Sequence, residues 1–188
     1  MVLNYSNNAG KMVMIMVTSR GFTLIELLVT LSVASILLTM AVPNYRVFVQ
    51  DSLLLTQSNS FSSAMILAKS EAVKRSSPAT ICSSTNGATC NGGAVWSNGW
   101  LVFADTNVNG VIDAGEIIQV GALLTGGNTL TFAAFADSSR VTYAASGFTI
   151  GSNGTFSLCD NRGVAMSRAI ILNNLGRLRT VIGGGACP

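Results

Sequence analysis

The chain has 188 residues, of which 49% are hydrophobic and only 10% charged, with a formal net charge of +3. That length gives room for one compact domain with an appendage, and the charged fraction falls well below the roughly 25% usual in soluble domains. The chain contains no histidine, which excludes Ser-His-Asp and Cys-His nucleophile systems. A GxxxxGKS phosphate loop is also absent, and the sequence does not read as an enzyme.

From the start of the chain, residues 1–21 hold Lys11 and Arg20 and no acid. Residues 22–42 then read FTLIELLVTLSVASILLTMAV, 21 residues with one charge, Glu26. About 20 apolar residues suffice to cross a bilayer as a helix. A buried core helix is the rival, but such helices are rarely apolar on every face. A cleaved secretory signal would have a shorter apolar region ending in small residues, whereas here Pro43 ends the block. The basic flank predicts a cytoplasmic start and a C-terminal domain on the other side of the membrane. Glu26 is the anomaly, since a carboxylate inside a membrane helix is costly and calls for a cationic partner. Either it sits in the headgroup layer or it meets a positive group. A cut between Gly21 and Phe22 would create an amino terminus four residues away.

The run Arg20-Gly21-Phe22-Thr23-Leu24-Ile25-Glu26, followed by the apolar stretch, resembles the processing site of type IV prepilins and type II secretion pseudopilins. The resemblance implies cleavage after Gly21 by prepilin peptidase and N-methylation of Phe22. It also implies pairing of Glu26 with the Phe22 amine of a neighbouring subunit. Pro43 falls where pilins commonly carry a helix-kinking proline. The leader is long for the family, and Met12, Met14 and Met16 are alternative starts.

The helical pattern continues beyond Pro43. Val47, Leu54, Phe61, Met65, Ala68 and Ala72 form one apolar stripe, with Arg46, Asp51, Gln57, Lys69 and Glu71 on the other face and Glu71 and Arg75 in the favoured i,i+4 order. Ser76-Ser77-Pro78 stops the helix. Strands are expected at 80–82, 100–104, 117–120, 129–132, 141–143, 148–150, 155–158, 169–172 and 178–182, several of them separated by Gly-Asn or Gly-Ser turns. The fold class is therefore α+β, a pilin-like fold in which a long N-terminal helix packs against antiparallel β-sheet. The expected divisions are a leader over 1–21, a transmembrane or filament-core segment over 22–49, and a globular domain over 50–188 whose helix runs to about 76. The segment Trp96-Ser97-Asn98-Gly99-Trp100 with Val102-Phe103-Ala104-Asp105 resembles GspH/FimT-type minor pilins and pseudopilins, most closely the FimT type.

Four cysteines, Cys82, Cys90, Cys159 and Cys187, point to disulfides in an exported domain. Three pairings are possible. Cys82–Cys90 with Cys159–Cys187 closes one local loop and ties down the C-terminus, and the second bond resembles the C-terminal disulfide loop of pilins. A zinc site is disfavoured by the spacing and the lack of histidine. The loop from Asp105 through Asn107, Asn109, Gly110 and Asp113 to Glu116 matches the D-x-N-x-N-G pattern of a calcium loop with Glu at its twelfth position. Its flanks read as strands, so an Asx- and Gly-rich hairpin loop held by its own hydrogen bonds is preferred over a structural calcium site. No other cofactor is expected.

Charge is segregated along the chain. Residues 76–139 carry Asp105, Asp113, Glu116 and Asp137 and no base, a net −4. From Arg140 onward five arginines face Asp160 alone, a net +4. Arginine pairs with phosphate in a planar, bidentate way that lysine does not. Gly176-Arg177-Leu178-Arg179 is the sharpest spot, because strand residues two apart project from the same face. A flexible Gly176 precedes the pair, and the Gly183-Gly184-Gly185 tail is expected to be mobile or looped until Cys187. The G-R-x-R run resembles the tail of FimT-type minor pilins linked to DNA uptake in natural transformation, which implies a grip on double-stranded DNA by Arg177 and Arg179. Lys69, Lys74 and Arg75, with Arg162 and Arg168, are candidates to extend it where the fold brings them near. Other readings of the Arg pair are salt bridges between subunits, or charges that guard an edge strand. Three roles follow: a DNA-capturing minor pilin, a structural or pilus-initiating minor pilin, and a tip pseudopilin of type II secretion. Each implies other pilin subunits as partners and an inner-membrane, single-pass anchor in a Gram-negative bacterium, with a periplasmic domain later carried outward on a filament.

Overall fold

The computed structural model describes residues 4–6, 12–14 and 21–187. Lys11, Met16 and Arg20, on which part of the leader reading rests, lie outside them. The chain divides into two compact units, Met1–Tyr45 and Arg46–Pro188.

In the first unit, β1 (Asn4–Ser6) pairs antiparallel with β2 (Met12–Met14). The unit also holds the start of α1, a helix running Leu24–Arg75. Thr23 caps that helix: its hydroxyl accepts the Glu26 N–H at 3.2 Å and its carbonyl accepts the Leu27 N–H at 3.1 Å. This is the Thr-x-x-Glu start pattern, with the acid placed where the helix dipole favours it. Side chains from Leu24 through Val42 are exposed, and the stretch is long and apolar enough to cross a membrane. Thr30, Ser32, Ser35 and Thr39 each donate their hydroxyl to the carbonyl three residues back, so the few polar groups are satisfied within the helix. Pro43 does not end the helix, which passes through it.

In the second unit, the rest of α1 packs against two four-stranded antiparallel sheets. One has the order β5 (Ile117–Gly121), β4 (Trp100–Ala104), β3 (Ala79–Ser83), β7 (Arg140–Tyr143). The other has the order β10 (Leu178–Ile182), β9 (Arg168–Leu172), β8 (Gly154–Cys159), β6 (Thr129–Ala134). Every predicted strand is present except 148–150, where only a single bridge links Tyr143 and Thr149. Bonds from Ala144 N–H to Phe148 O and from Ile150 N–H to Thr142 O, both at 2.8 Å, flank that bridge, and the Thr149 N–H turns outward to the turn after β9.

The core sits between α1 and the sheets. Leu54, Phe61, Met65, Ala68 and Ala72 are buried, as the stripe predicts, but Val47 is exposed. Gln57 and Glu71, assigned to the polar face, are also buried. Gln57 donates to the Thr125 carbonyl at 3.0 Å and accepts from Asn128 at 2.7 Å, so its amide is satisfied inside the fold. Phe61 meets Trp96 and Trp100 edge-on at 5.8 and 5.1 Å, the T-shaped geometry that aromatic quadrupoles favour, and Phe132 stacks on Phe156 with centroids 3.8 Å apart. Trp100 lies over its cross-strand partner Gly121, where a Cβ would stand 2.1 Å from the indole. Disulfides join Cys82 to Cys90 and Cys159 to Cys187, the pairing favoured from the sequence.

Candidate nucleic-acid interface

The interface is built at the turn between β9 and β10, on the outer edge of its sheet. Asn173 donates its N–H to the Arg177 carbonyl at 3.2 Å and accepts the Arg177 N–H on its side-chain oxygen at 2.9 Å. Lys69, on α1, reaches under the turn and donates to the carbonyls of Leu175 and Gly176 at 3.0 and 3.1 Å. Thr149 braces the other side, donating its N–H to Asn174 O at 3.0 Å. Gly176 has φ 65°, and a Cβ there would fall 2.5 Å from the Gly147 carbonyl oxygen and 2.9 Å from the Tyr143 ring. The glycine is required for close approach and is not a flexible joint. This corrects the expectation of a mobile Gly176.

Beyond the turn, Leu178 packs against the core while Arg177 and Arg179 on either side of it are exposed. The i,i+2 spacing thus places both guanidiniums on the solvent side. Among the described residues, they are the only arginines from Arg140 onward whose side chains make neither an ion pair nor a hydrogen bond. Arg140 pairs with Asp137 at 3.5 Å.

The other candidate contacts are committed elsewhere. Arg162, its side chain only 17% exposed, bridges Asp51 on α1 at 2.8 Å and Asp160 at 2.7 Å. The hydrogen bond that Arg162 donates to Asp160 raises the Arg162 pKa above its ordinary value, and burial only partly opposes it. Burial raises the Asp160 pKa, but the bonds from Arg162 outweigh it and the net shift is downward. Arg168 is buried and donates to the Met166 carbonyl at 3.2 Å. Lys74 and Arg75 both hold Glu71, at 3.2 and 2.6 Å. Arg162 and Arg168 are therefore corrected to structural residues. Lys74 and Arg75 carry charge already balanced by Glu71, although Lys74 stays largely exposed.

The glycine tail is also more ordered than expected. Gly183 N–H donates to the Ser167 carbonyl at 2.8 Å, Gly185 N–H to the Ser167 hydroxyl at 3.2 Å and Ala186 N–H to the Ser157 hydroxyl at 2.9 Å. Small residues allow this close packing along the sheet, and the Cys159–Cys187 bond closes it.

The Asp105–Glu116 loop connects β4 to β5, as its strand-like flanks imply. Asp105 accepts the N–H groups of Asn109 and Gly110 at 2.9 and 2.8 Å, and Glu116 accepts the Thr106 N–H and hydroxyl at 2.8 and 2.7 Å and the Asp113 N–H at 3.1 Å. Asp113 accepts the side-chain amides of Asn107 and Asn109 at 2.7 and 2.8 Å. Each of these carboxylates thus accepts hydrogen bonds from the loop's own donors. Among the described residues, no three His, Cys, Asp or Glu side chains gather to hold a metal.

Sequence reasoning missed Gly147 and Thr149 as parts of the candidate interface, and it offered Lys69 only as an added basic contact, not as a brace of the turn. Their contacts to the turn span from about thirty to over a hundred positions in the chain, and no local pattern marks them. The Thr23 cap did have a signal, the Thr-x-x-Glu spacing ahead of an apolar run.

The long helix, the two antiparallel sheets and the apolar first unit define a pilin-like subunit. The chain belongs to the family of type II transport protein GspH, whose model matches residues 57–176, and is a GspH-type, pilin-like subunit. The prokaryotic N-terminal methylation motif matches residues 16–42. Among solved structures, the fold is similar to the type IV minor pilin FimU of Pseudomonas aeruginosa strain PAO1, at 17% identity over 68% of this chain and 92% of that one, with a TM-score of 0.52. It is similar also to the minor pseudopilin EpsH from the Type 2 Secretion System of Vibrio cholerae, at 14% identity over 70% and 98% of the two chains, with a TM-score of 0.50. No curated protein matches the chain.

Proposed function

We propose that this minor pilin grips the backbone of double-stranded DNA through Arg177 and Arg179, in the manner of FimT-type subunits, for uptake in natural transformation. In this reading prepilin peptidase cuts after Gly21, Phe22 is N-methylated, and Glu26 meets the new amine of a neighbouring subunit during assembly. The globular domain faces the periplasm and is later displayed on the filament. The observation that carries the proposal is the pair of uncommitted guanidiniums, two residues apart, on a turn held rigid by Lys69, Asn173 and Thr149. A rigid, planar donor pair loses little entropy on meeting phosphate. Contacts of this kind give affinity without base reading and weaken steeply with salt.

The test is duplex titration against the full chain in non-ionic detergent at several salt concentrations. The parent should bind any sequence alike. Arg177→Gln with Arg179→Gln should reduce the salt slope by about 1.8, two phosphate contacts at about 0.9 each, and abolish binding near physiological salt. Equal binding by the double variant overturns the DNA reading. The membership in the type II transport family would then favour a structural or secretion-tip role, with the arginines facing a neighbouring subunit.

A further inference from the structure

We propose that the Phe148 ring is a stacking surface for an unpaired DNA base beside the Arg177–Arg179 grip, so that the protein holds single-stranded DNA or a frayed end more tightly than closed duplex. The inference rests on the DNA reading above and specifies the form of DNA.

Phe148 is 53% exposed, yet its backbone is fixed. Its carbonyl accepts the Ala144 N–H at 2.8 Å, and the next residue, Thr149, donates to Asn174 at 3.0 Å. The Gly147 carbonyl lies against Gly176, at 2.5 Å from where a Cβ would stand. Phe148 follows Gly147 and Arg177 follows Gly176, so an exposed ring and an exposed guanidinium leave the fold from two backbones in contact. Leu175, in the same turn, is also 47% exposed. Single exposed apolar residues are ordinary on protein surfaces. Here the ring leaves a hydrogen-bonded backbone that touches the turn carrying the proposed phosphate grip, and aromatic ring with basic groove is the combination that proteins use to track single strands.

The chemistry separates the two forms of DNA. A closed duplex presents phosphates to Arg177 and Arg179 but keeps its base faces inside the stack. An unpaired base offers a π-face at a short reach from its own phosphate. Stacking on an aromatic ring tolerates any base, so the site gains affinity without acquiring sequence preference.

Fluorescence anisotropy on the full chain in detergent, at one fixed salt concentration, tests this with a mixed-sequence single strand and a hairpin-capped duplex of equal length. The parent should prefer the single strand. Phe148→Ala should weaken the single strand about tenfold and the duplex less than twofold. Phe148→Tyr, which keeps the ring, should retain the preference, and Phe148→Leu, which keeps bulk without a π-face, should lose it. If Phe148→Ala lowers folding, the Tyr and Leu variants alone decide. Equal affinity of the parent for both DNAs, or a preference that survives in Phe148→Leu, overturns the inference. Loss of all binding in Arg177→Gln/Arg179→Gln with no selective effect at Phe148 leaves the phosphate grip standing and removes only the stacking. Unchanged binding of both DNAs by the double Arg variant removes the grip itself.

Discussion

Lys69 shows how one side chain can shape a surface it does not form. Its ammonium is occupied by two carbonyls of the β9–β10 turn, so on the present reading it acts by holding Arg177 in place. Lys69→Met is expected to weaken duplex binding severalfold, Lys69→Arg to restore part of it, and melting to remain cooperative in both; anisotropy and circular dichroism check the two halves. Gly176 is stricter. With φ 65° and no room for a Cβ against Gly147 and Tyr143, Gly176→Ala should destabilise the protein by about 2 kcal/mol and displace Arg177, read by urea unfolding and DNA titration. Val108 carries strain of another kind. A β-branched residue at φ 58° is unfavourable by about 1–3 kcal/mol, and Val108→Asn should raise stability by about 1 kcal/mol in the same assay.

At the level of elements, the strands were readable because β-branched and aromatic runs alternate with Gly, Asn and Ser turns. Their pairing into two sheets was not, since sheet order depends on contacts between distant segments. The failure at 148–150 is instructive. The run Phe148-Thr149-Ile150 has strand propensity and pairs with β7 around one bridge, through bonds at Phe148 and Ile150, but its outward Thr149 N–H meets the Asn174 turn and no further strand, so tertiary context limits what local preference predicts. Gln57 and Glu71 were misassigned for a similar reason. A polar residue reads as exposed until a buried partner, Asn128 for one and Arg75 for the other, is seen to satisfy it. The β4–β5 loop makes an acid-sensitive element. The Thr106 hydroxyl and N–H lower the Glu116 pKa below its ordinary value, and the Asn107 amide, then Asn109, does so for Asp113. Groups with lowered folded-state pKa bind more protons when unfolded, so their stabilisation is complete above the unfolded value near 4.5 and is lost as pH falls through the folded one. The melting temperature should therefore drop as pH falls below about 4.5, and Glu116→Gln should flatten that dependence.

For the molecule as a whole, charge segregation was visible in the sequence but overstated the basic face. Of the five arginines after Ser139, Arg140, Arg162 and Arg168 are engaged within the fold, and the surface contribution narrows to Arg177 and Arg179. The two disulfides, in contrast, were nearly legible, because a chain with four cysteines has only three ways to pair them all. Cys159 and Cys187 lie 28 positions apart, and the chain-entropy relation gives about 3–4 kcal/mol for a loop of that size. Cys159→Ser with Cys187→Ser should lower stability by roughly that amount, and reduction of the parent, which also opens Cys82–Cys90, should lower it at least as far. That covalent ring has a mechanical consequence. β10 is an outer strand, and an outer strand under tension ordinarily peels from its free end one hydrogen bond at a time. Here neither end is free: β9 leads in through the turn, and the sulfur bridge returns the far end to Cys159 on β8. If Arg177 and Arg179 grip DNA as proposed, a pull on that polymer would be divided between two anchorages in the centre of the sheet. The strand must shear as a unit rather than unzip, and reduction of one bond would turn a load-bearing handle into a tab that tears away.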